Sequence, residues 1–133
     1  MQWILVGAGG ALGSLLRFFL QVRVQTAYGG LFPWGTLSVN ILGSAVIGAV
    51  AASLEATSGP TQNLRAFIMV GILGGFTTFS SFSLENLNLL RAGAVRLALA
   101  YVAASNVFGI GAAVLGYFSV RTALRAFGGS TGA

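Results

Sequence analysis

Apolar residues run almost unbroken through four windows, 3–20, 33–52, 66–84 and 97–118, and polar residues collect in the three short stretches between them. A helix rises about 1.5 Å per residue, so roughly 20 apolar residues cross the ~30 Å hydrocarbon core of a bilayer. The pattern predicts an all-α membrane protein, a single integral domain over 1–133 with spans at 3–22, 33–54, 66–90 and 96–119. The connections read QVRVQTAYGGLF, SLEATSGPTQNLR and ENLNLLRAGAVR. Pro33 suits a helix start, where a missing N–H costs nothing, and Pro60 after Ser-Gly suits a turn. The first window has the length of a signal peptide but no basic segment before it, and Arg17 interrupts it, so it reads as a span.

The third window departs from a simple lipid-facing pattern. At its middle stands GGFTTFSS, residues 74–81, with two glycines and four hydroxyl side chains where a lipid-facing helix carries leucine. Gly-Gly followed by Thr-Thr weakens helix propensity over several consecutive residues, which predicts a break mid-membrane near 74–78. Broken backbone at that depth persists only where its freed groups find partners in protein, water or an ion. Freed carbonyls suit a hard cation such as Na⁺, whereas freed N–H groups and a half-helix N-terminus suit an anion.

Two further spans carry polar stripes. Thr36, Asn40 and Ser44 recur at i, i+4 and i+8 on one face of the second span, and Tyr101, Ser105 and Gly109 do so on the fourth, with Asn106 about 100° around the helix. Such stripes line a pathway or form a hydrogen-bonded seam between helices, and Asn is a frequent helix glue. An Asn in hydrocarbon is costly without partners, so Asn40 weighs most. Phe79 and Phe82, at i and i+3 just after the break, are core or lipid-facing residues, or rings offering their positive edges to an anion.

Composition narrows the chemistry. Hydrophobic residues make up 56% of the 133 and charged ones only 7%; His, Cys, Lys and Asp are absent, and the acids are Glu55 and Glu85. General acid–base catalysis draws mainly on residue types mostly missing here, and zinc and redox-metal sites need His or Cys. An enzyme is therefore not expected. Neither is a nucleic-acid binder, because the seven arginines are scattered singly. The candidate pathway shows no embedded carboxylate to attract a cation, so its hydroxyls, amides and ring edges point to a small anion.

Charge also bears on orientation. With the N-terminus, second connection and C-terminus on one side, that side holds Arg65, Arg121 and Arg125, and the other Arg23, Arg91 and Arg96, with Arg17 deeper in the first span. The balance leaves two readings: a weak local cue sets one orientation, or copies insert both ways and pair antiparallel. Four helices are too few to enclose a polar pathway and still bury their packing faces, so a two-fold dimer is expected. Gly9/Gly13, Gly10/Ser14, Gly71/Gly75 and Ala112/Gly116 supply small-xxx-small spacings for close helix contact, between subunits or within one.

GGALGSLLRF (9–18), GTLSVNILGS (35–44) and above all GILGGFTTFSSFSLE (71–85) resemble the CrcB/Fluc family of fluoride channels. The resemblance implies an antiparallel, dual-topology homodimer in the bacterial inner membrane, with two pores that passively export cytoplasmic fluoride. It implies a structural Na⁺ at the dimer centre on the carbonyls of Gly74 and Thr77. It places pore rings at Phe79 and Phe82, donors at Asn40, Ser81, Thr36, Tyr101 and Ser105, a vestibule arginine at Arg17 and an acid after the break at Glu85. It assigns Asn106 no role. The competing reading is a small dual-topology multidrug-type transporter, which needs a carboxylate in the first span; that span holds Arg17 and no acid.

Overall fold

In the computed structural model, residues 1–56 and 62–128 are described; Pro60 and the turn expected around it lie outside them. Four stretches are helical and apolar enough to cross a membrane: Gln2–Tyr28, Trp34–Ala56, Gln62–Arg91 and Val95–Ala126. We label the helices α1 (Gln2–Tyr28), α2 (Trp34–Ala56), α3 (Gln62–Arg65), α4 (Gly74–Phe76), α5 (Phe79–Arg91) and α6 (Val95–Gly128), with a π-helical segment, Ala66–Leu73, between α3 and α4. The chain is thus an all-α, multi-pass membrane protein. Large apolar side chains such as Phe18, Phe19, Ile110 and Leu115 stay exposed on the single chain, as a helix bundle solvated by lipid requires.

The third span is assembled from two parts with different neighbours. Its first part, through α4, packs on α1, and its second part, α5, packs on α6, while α2 and α6 form the most extensive helix pair. Small residues set the first contact. A Cβ on Gly9 would lie 2.6 Å from the Phe67 carbonyl oxygen, one on Gly75 would lie 2.6 Å from that of Gly10, and one on Gly13 would overlap the Ile72 carbonyl. Gly48 meets the Ala113 carbonyl and Gly116 meets that of Ala45 in the same way between α2 and α6. Gly9, Gly13, Gly48, Gly75 and Gly116 therefore each make a close contact inside one chain.

The π-helical stretch was not legible in the sequence. It stands where Gly9 and Gly13 of α1 approach the backbone of Phe67, Gly71 and Ile72, and π-type turns are rare, appearing mostly as single-turn bulges. Connections at the α5 end are tight. The α5–α6 turn closes with Ala94 N–H on the Leu89 carbonyl at 2.9 Å and Gly93 at φ 72°, a backbone region open to glycine at little cost. Between α1 and α2, the Gln25 amide organises the loop, donating to the carbonyls of Gly30 and Phe32 and accepting the Gly35 N–H.

Candidate functional site: a polar groove beside an interrupted helix

Helical bonding lapses at two residues. Thr77 (φ −80°, ψ 156°) and Thr78 (φ −150°, ψ 121°) are extended, and α5 begins at Phe79. The weak stretch expected from Gly74 onward is narrower than expected, since Gly74–Phe76 remains helical. In a continuous helix the Thr78 N–H would bond the Gly74 carbonyl and the Ser81 N–H that of Thr77. Here the Thr78 N–H donates to Asn40 Oδ1 at 2.9 Å, and the Ser81 N–H donates to Thr78 Oγ1 at 3.2 Å as an N-terminal cap. The carbonyls of Gly74 and Thr77 therefore lose their helical donors. Two such oxygens on a chain without His or Cys suit a hard, oxygen-seeking cation, so the residues fit the Na⁺ that the resemblance implies.

Asn40 is the partner that stabilises the extended turn. Its Nδ2 donates to the Thr78 carbonyl at 3.0 Å while its Oδ1 takes the Thr78 N–H. The Thr77 hydroxyl bonds back to the Leu73 carbonyl at 3.0 Å, a local satisfaction common for Thr in membrane helices. Room for this turn comes from Gly43, where a Cβ would overlap the Thr77 methyl and lie 3.1 Å from the Phe76 ring.

Beside the turn lies a groove of about 150 Å³ lined by Asn40, Ser44, Phe79, Phe82, Ser105, Asn106 and Gly109. Asn40 and Ser44 of the stripe expected on α2 and Ser105 and Gly109 of that on α6 thus face one space, together with both rings. The Phe79 and Phe82 centroids are 5.5 Å apart, and Phe82 lies 5.1 Å from the Tyr101 ring. Phe79 is 78% exposed on the single chain, whereas Phe82 is half-buried against the cluster of Leu37, Leu89, Ala98 and Tyr101. Ser105 Oγ is buried without a hydrogen-bond partner. The Ser81 oxygen accepts from Thr78 Oγ1 at 3.1 Å, so its own proton remains to be given. The Asn106 amide donates to the Val102 carbonyl at 2.8 Å on the exposed side of α6.

Thr36 and Tyr101 are placed differently. Both are buried, and both donate to one carboxylate: Thr36 Oγ1 to Glu85 Oε1 at 2.6 Å and Tyr101 OH to Glu85 Oε2 at 2.7 Å. Gln21 Nε2 donates to Thr36 Oγ1 at 2.9 Å. This corrects the reading that the polar track holds no carboxylate, because Glu85 sits within hydrogen-bond reach of two of its members. A lone acid in sequence does not reveal its partners, and Thr36 and Tyr101 lie 49 and 16 positions away. Thr78 was missed; a hydroxyl residue just ahead of an apolar helix is a cap signal. Arg17, one turn beyond Gly13 on α1, is half-buried and lies outside the groove, as does Gly74.

The family model described as "CrcB-like protein, Camphor Resistance (CrcB)" matches residues 4–117. A fluoride-specific ion channel FluC of Thermus thermophilus is 52% identical over 118 residues, covering 87% of this chain and 92% of its own length. Proteins of the same name from Rhodospirillum centenum and Rhizobium meliloti are 45% and 43% identical, over 93% and 92% of this chain. These relatives are ion channels, not enzymes. Matches that run through all four spans and through the turn at Thr77–Thr78 leave one conclusion: the chain belongs to the CrcB family.

Proposed function

We propose that the chain is a fluoride-selective channel that lets cytoplasmic fluoride leave passively through the bacterial inner membrane. The observation that carries this reading is the groove beside the extended turn, where an unpartnered buried hydroxyl, Ser105, shares one space with Asn40, Phe79 and Phe82. The names of its relatives supply the choice of anion.

The residues act by replacing water. Fluoride is small and holds its hydration shell strongly, so a passage must present donors at close range. Ser105 and Ser81 each have a hydroxyl proton to offer, and Asn40 keeps one N–H after its two bonds to Thr78. Phe79 and Phe82 add positive ring edges without competing acceptors. Larger anions would fit a narrow passage of this kind poorly. Arg17 would raise the local anion concentration at the mouth.

The working unit in this reading is an antiparallel homodimer with two pores, its break at mid-membrane depth. The balanced arginines support insertion in both orientations, and the high exposure of Phe79 supports a second copy beside it. The Gly74 and Thr77 carbonyls of both copies would hold Na⁺, whose charge would offset the oxygen dipoles gathered there. To test the reading, the purified protein is reconstituted in liposomes and efflux is followed with a fluoride electrode, with chloride as control. Fluoride flux far above empty liposomes is expected; none would overturn the reading.

A further inference from the structure

A second polar site lies at the far end of the α2–α6 pair, away from the groove. Arg121 stands 12 residues beyond Gly109, about 18 Å along α6 at ~1.5 Å per residue. Here a cavity of about 390 Å³ is lined by Ala52, Glu55 and Ala56 of α2 and by Arg121, Leu124 and Arg125 of α6. The two arginines are four positions apart, hence neighbours on one helix face. Tyr117 OH donates to Glu55 Oε2 at 2.6 Å, and Arg121 Nη1 donates to the Tyr117 oxygen at 3.2 Å. The Arg121 guanidinium lies 5.8 Å from the centre of the Tyr117 ring, a cation–π distance. One phenol thus fixes a carboxylate and a guanidinium beside each other. Glu55, Arg121 and Arg125 are all exposed, and Glu55 Oε1, the further N–H groups of Arg121 and the Arg125 fork offer acceptor and donor capacity to a ligand.

The depth of the cavity says what that ligand is. Helix α2 ends at Ala56 and the apolar stretch of α6 ends at Ala126, where hydrocarbon gives way to lipid headgroups. Tyr117, one turn inward from Arg121, suits the aromatic belt of that boundary. A purely basic pocket between membrane helices takes an anionic headgroup. This one also holds a carboxylate, which would repel a headgroup carrying only negative charge. A headgroup with both a phosphate and a primary ammonium matches every charge: guanidinium forks pair with phosphate oxygens, and ammonium N–H groups pair with the carboxylate. We propose that this cavity binds a zwitterionic aminophospholipid, its phosphate on Arg121 and Arg125 and its ammonium on Glu55. Leu124 forms part of the wall, and the exposed Phe118 and Leu115 continue an apolar surface along α6. That surface gives acyl chains a path, which a free phosphoamine would not need. The proposal does not depend on the fluoride-channel reading.

The test is native mass spectrometry of the purified protein with equal concentrations of phosphatidylethanolamine, phosphatidylglycerol and phosphatidylcholine of the same acyl chains. The wild type is expected to retain phosphatidylethanolamine about tenfold better than the other two, the equivalent of about 1.4 kcal/mol. Phosphatidylcholine shares the phosphate, but its quaternary ammonium has no N–H for Glu55. Glu55→Gln keeps an acceptor for the Tyr117 proton, so the helix contact stays while the charge goes. That variant should lose the preference and retain more phosphatidylglycerol, whereas Arg121→Gln combined with Arg125→Gln should weaken retention of all three lipids. Equal retention of the three by the wild type, or an unchanged preference in Glu55→Gln, would overturn the site. Soluble phosphoethanolamine at the same concentration should displace none of the bound lipid; displacement would overturn the assignment to a lipid. Thermal unfolding of the wild type gives a readout that needs no variant. Phosphatidylethanolamine should raise the melting temperature more than phosphatidylglycerol does, because tighter binding to the folded state stabilises it more. An equal or reversed order also overturns the proposal.

Discussion

Asn40 and Thr78, 38 positions apart in the chain, exchange two hydrogen bonds: the amide donates to the Thr78 carbonyl at 3.0 Å and accepts its N–H at 2.9 Å. One side chain thus stands in for the helical partners of an extended residue. Asn40→Ala leaves both backbone groups unpaired, and the expected cost is about 1–3 kcal/mol of stability for each group left buried and unsatisfied. Asn40→Asp keeps the acceptor for the N–H but sets an oxygen against the Thr78 carbonyl, so it should also lose fluoride flux. Thermal unfolding in detergent, read beside liposome flux, checks both.

The two phenylalanines separate conduction from packing. Phe79 is 78% exposed on the chain, so Phe79→Ile should change stability of the single chain by no more than about 0.5 kcal/mol while greatly slowing fluoride efflux. Phe82 packs against Tyr101 at 5.1 Å between ring centroids, so Phe82→Ile should slow efflux and also lower the melting temperature. Unchanged flux in either variant would place that ring outside the pathway.

Ser105 has a buried hydroxyl without a partner. In the absence of fluoride, Ser105→Ala should therefore leave stability unchanged or raise it, since an unsatisfied buried hydroxyl carries a desolvation penalty of about 1–3 kcal/mol. Flux should fall about tenfold if one neutral hydrogen bond to the ion, worth about 1 kcal/mol or slightly more, is lost. Wild-type flux together with unaltered stability would make the hydroxyl a bystander.

Replacement of Na⁺ by a large organic cation tests the carbonyls of Gly74 and Thr77, whose helical donors bond elsewhere. Prolonged incubation without Na⁺ should reduce both flux and the dimer fraction seen by size-exclusion chromatography, and restored Na⁺ should recover them. Indifference over days would count against a cation at that site.

Gly13 is the point of closest approach between α1 and the π-helical segment. A Cβ there would overlap the Ile72 carbonyl, and Gly13→Ala should destabilise by about 1–3 kcal/mol, the usual cost of overpacking. Gly10→Ala, on the same helix with open space at its Cβ, should be well tolerated. Parallel melting curves of the two variants decide it.

Membrane helices are legible from sequence because their signal is local. Lipid cannot bond backbone groups, so a span is largely a long apolar helix that bonds its own backbone, and four windows carry that length and composition. The weakness at GGFTTFSS was legible for the same reason, through propensity alone. The π-helical segment Ala66–Leu73 was not, because nothing in AFIMVGIL distinguishes it from an ordinary apolar helix; it coincides with the close contact that Gly9 and Gly13 make with that backbone.

Asn40, Phe79, Phe82 and Ser105 were nominated by spacing, and the fold brings them to one groove. Thr36 and Tyr101 were nominated by the same spacing, yet their protons go to Glu85. Periodicity tells which residues share a helix face, not which acceptor waits across the gap. By itself, then, the chain's order of residues determined the number of spans, the place where the third one weakens and the residue types able to meet a small anion, since each follows from local length, propensity and composition. Only the tertiary structure decided that Asn40 bonds the extended turn, that the third span passes from α1 to α6 there, and that Glu85 takes two hydroxyls of the track. Those outcomes depend on contacts between residues far apart in the chain, whose distances and competing partners are set when the helices pack.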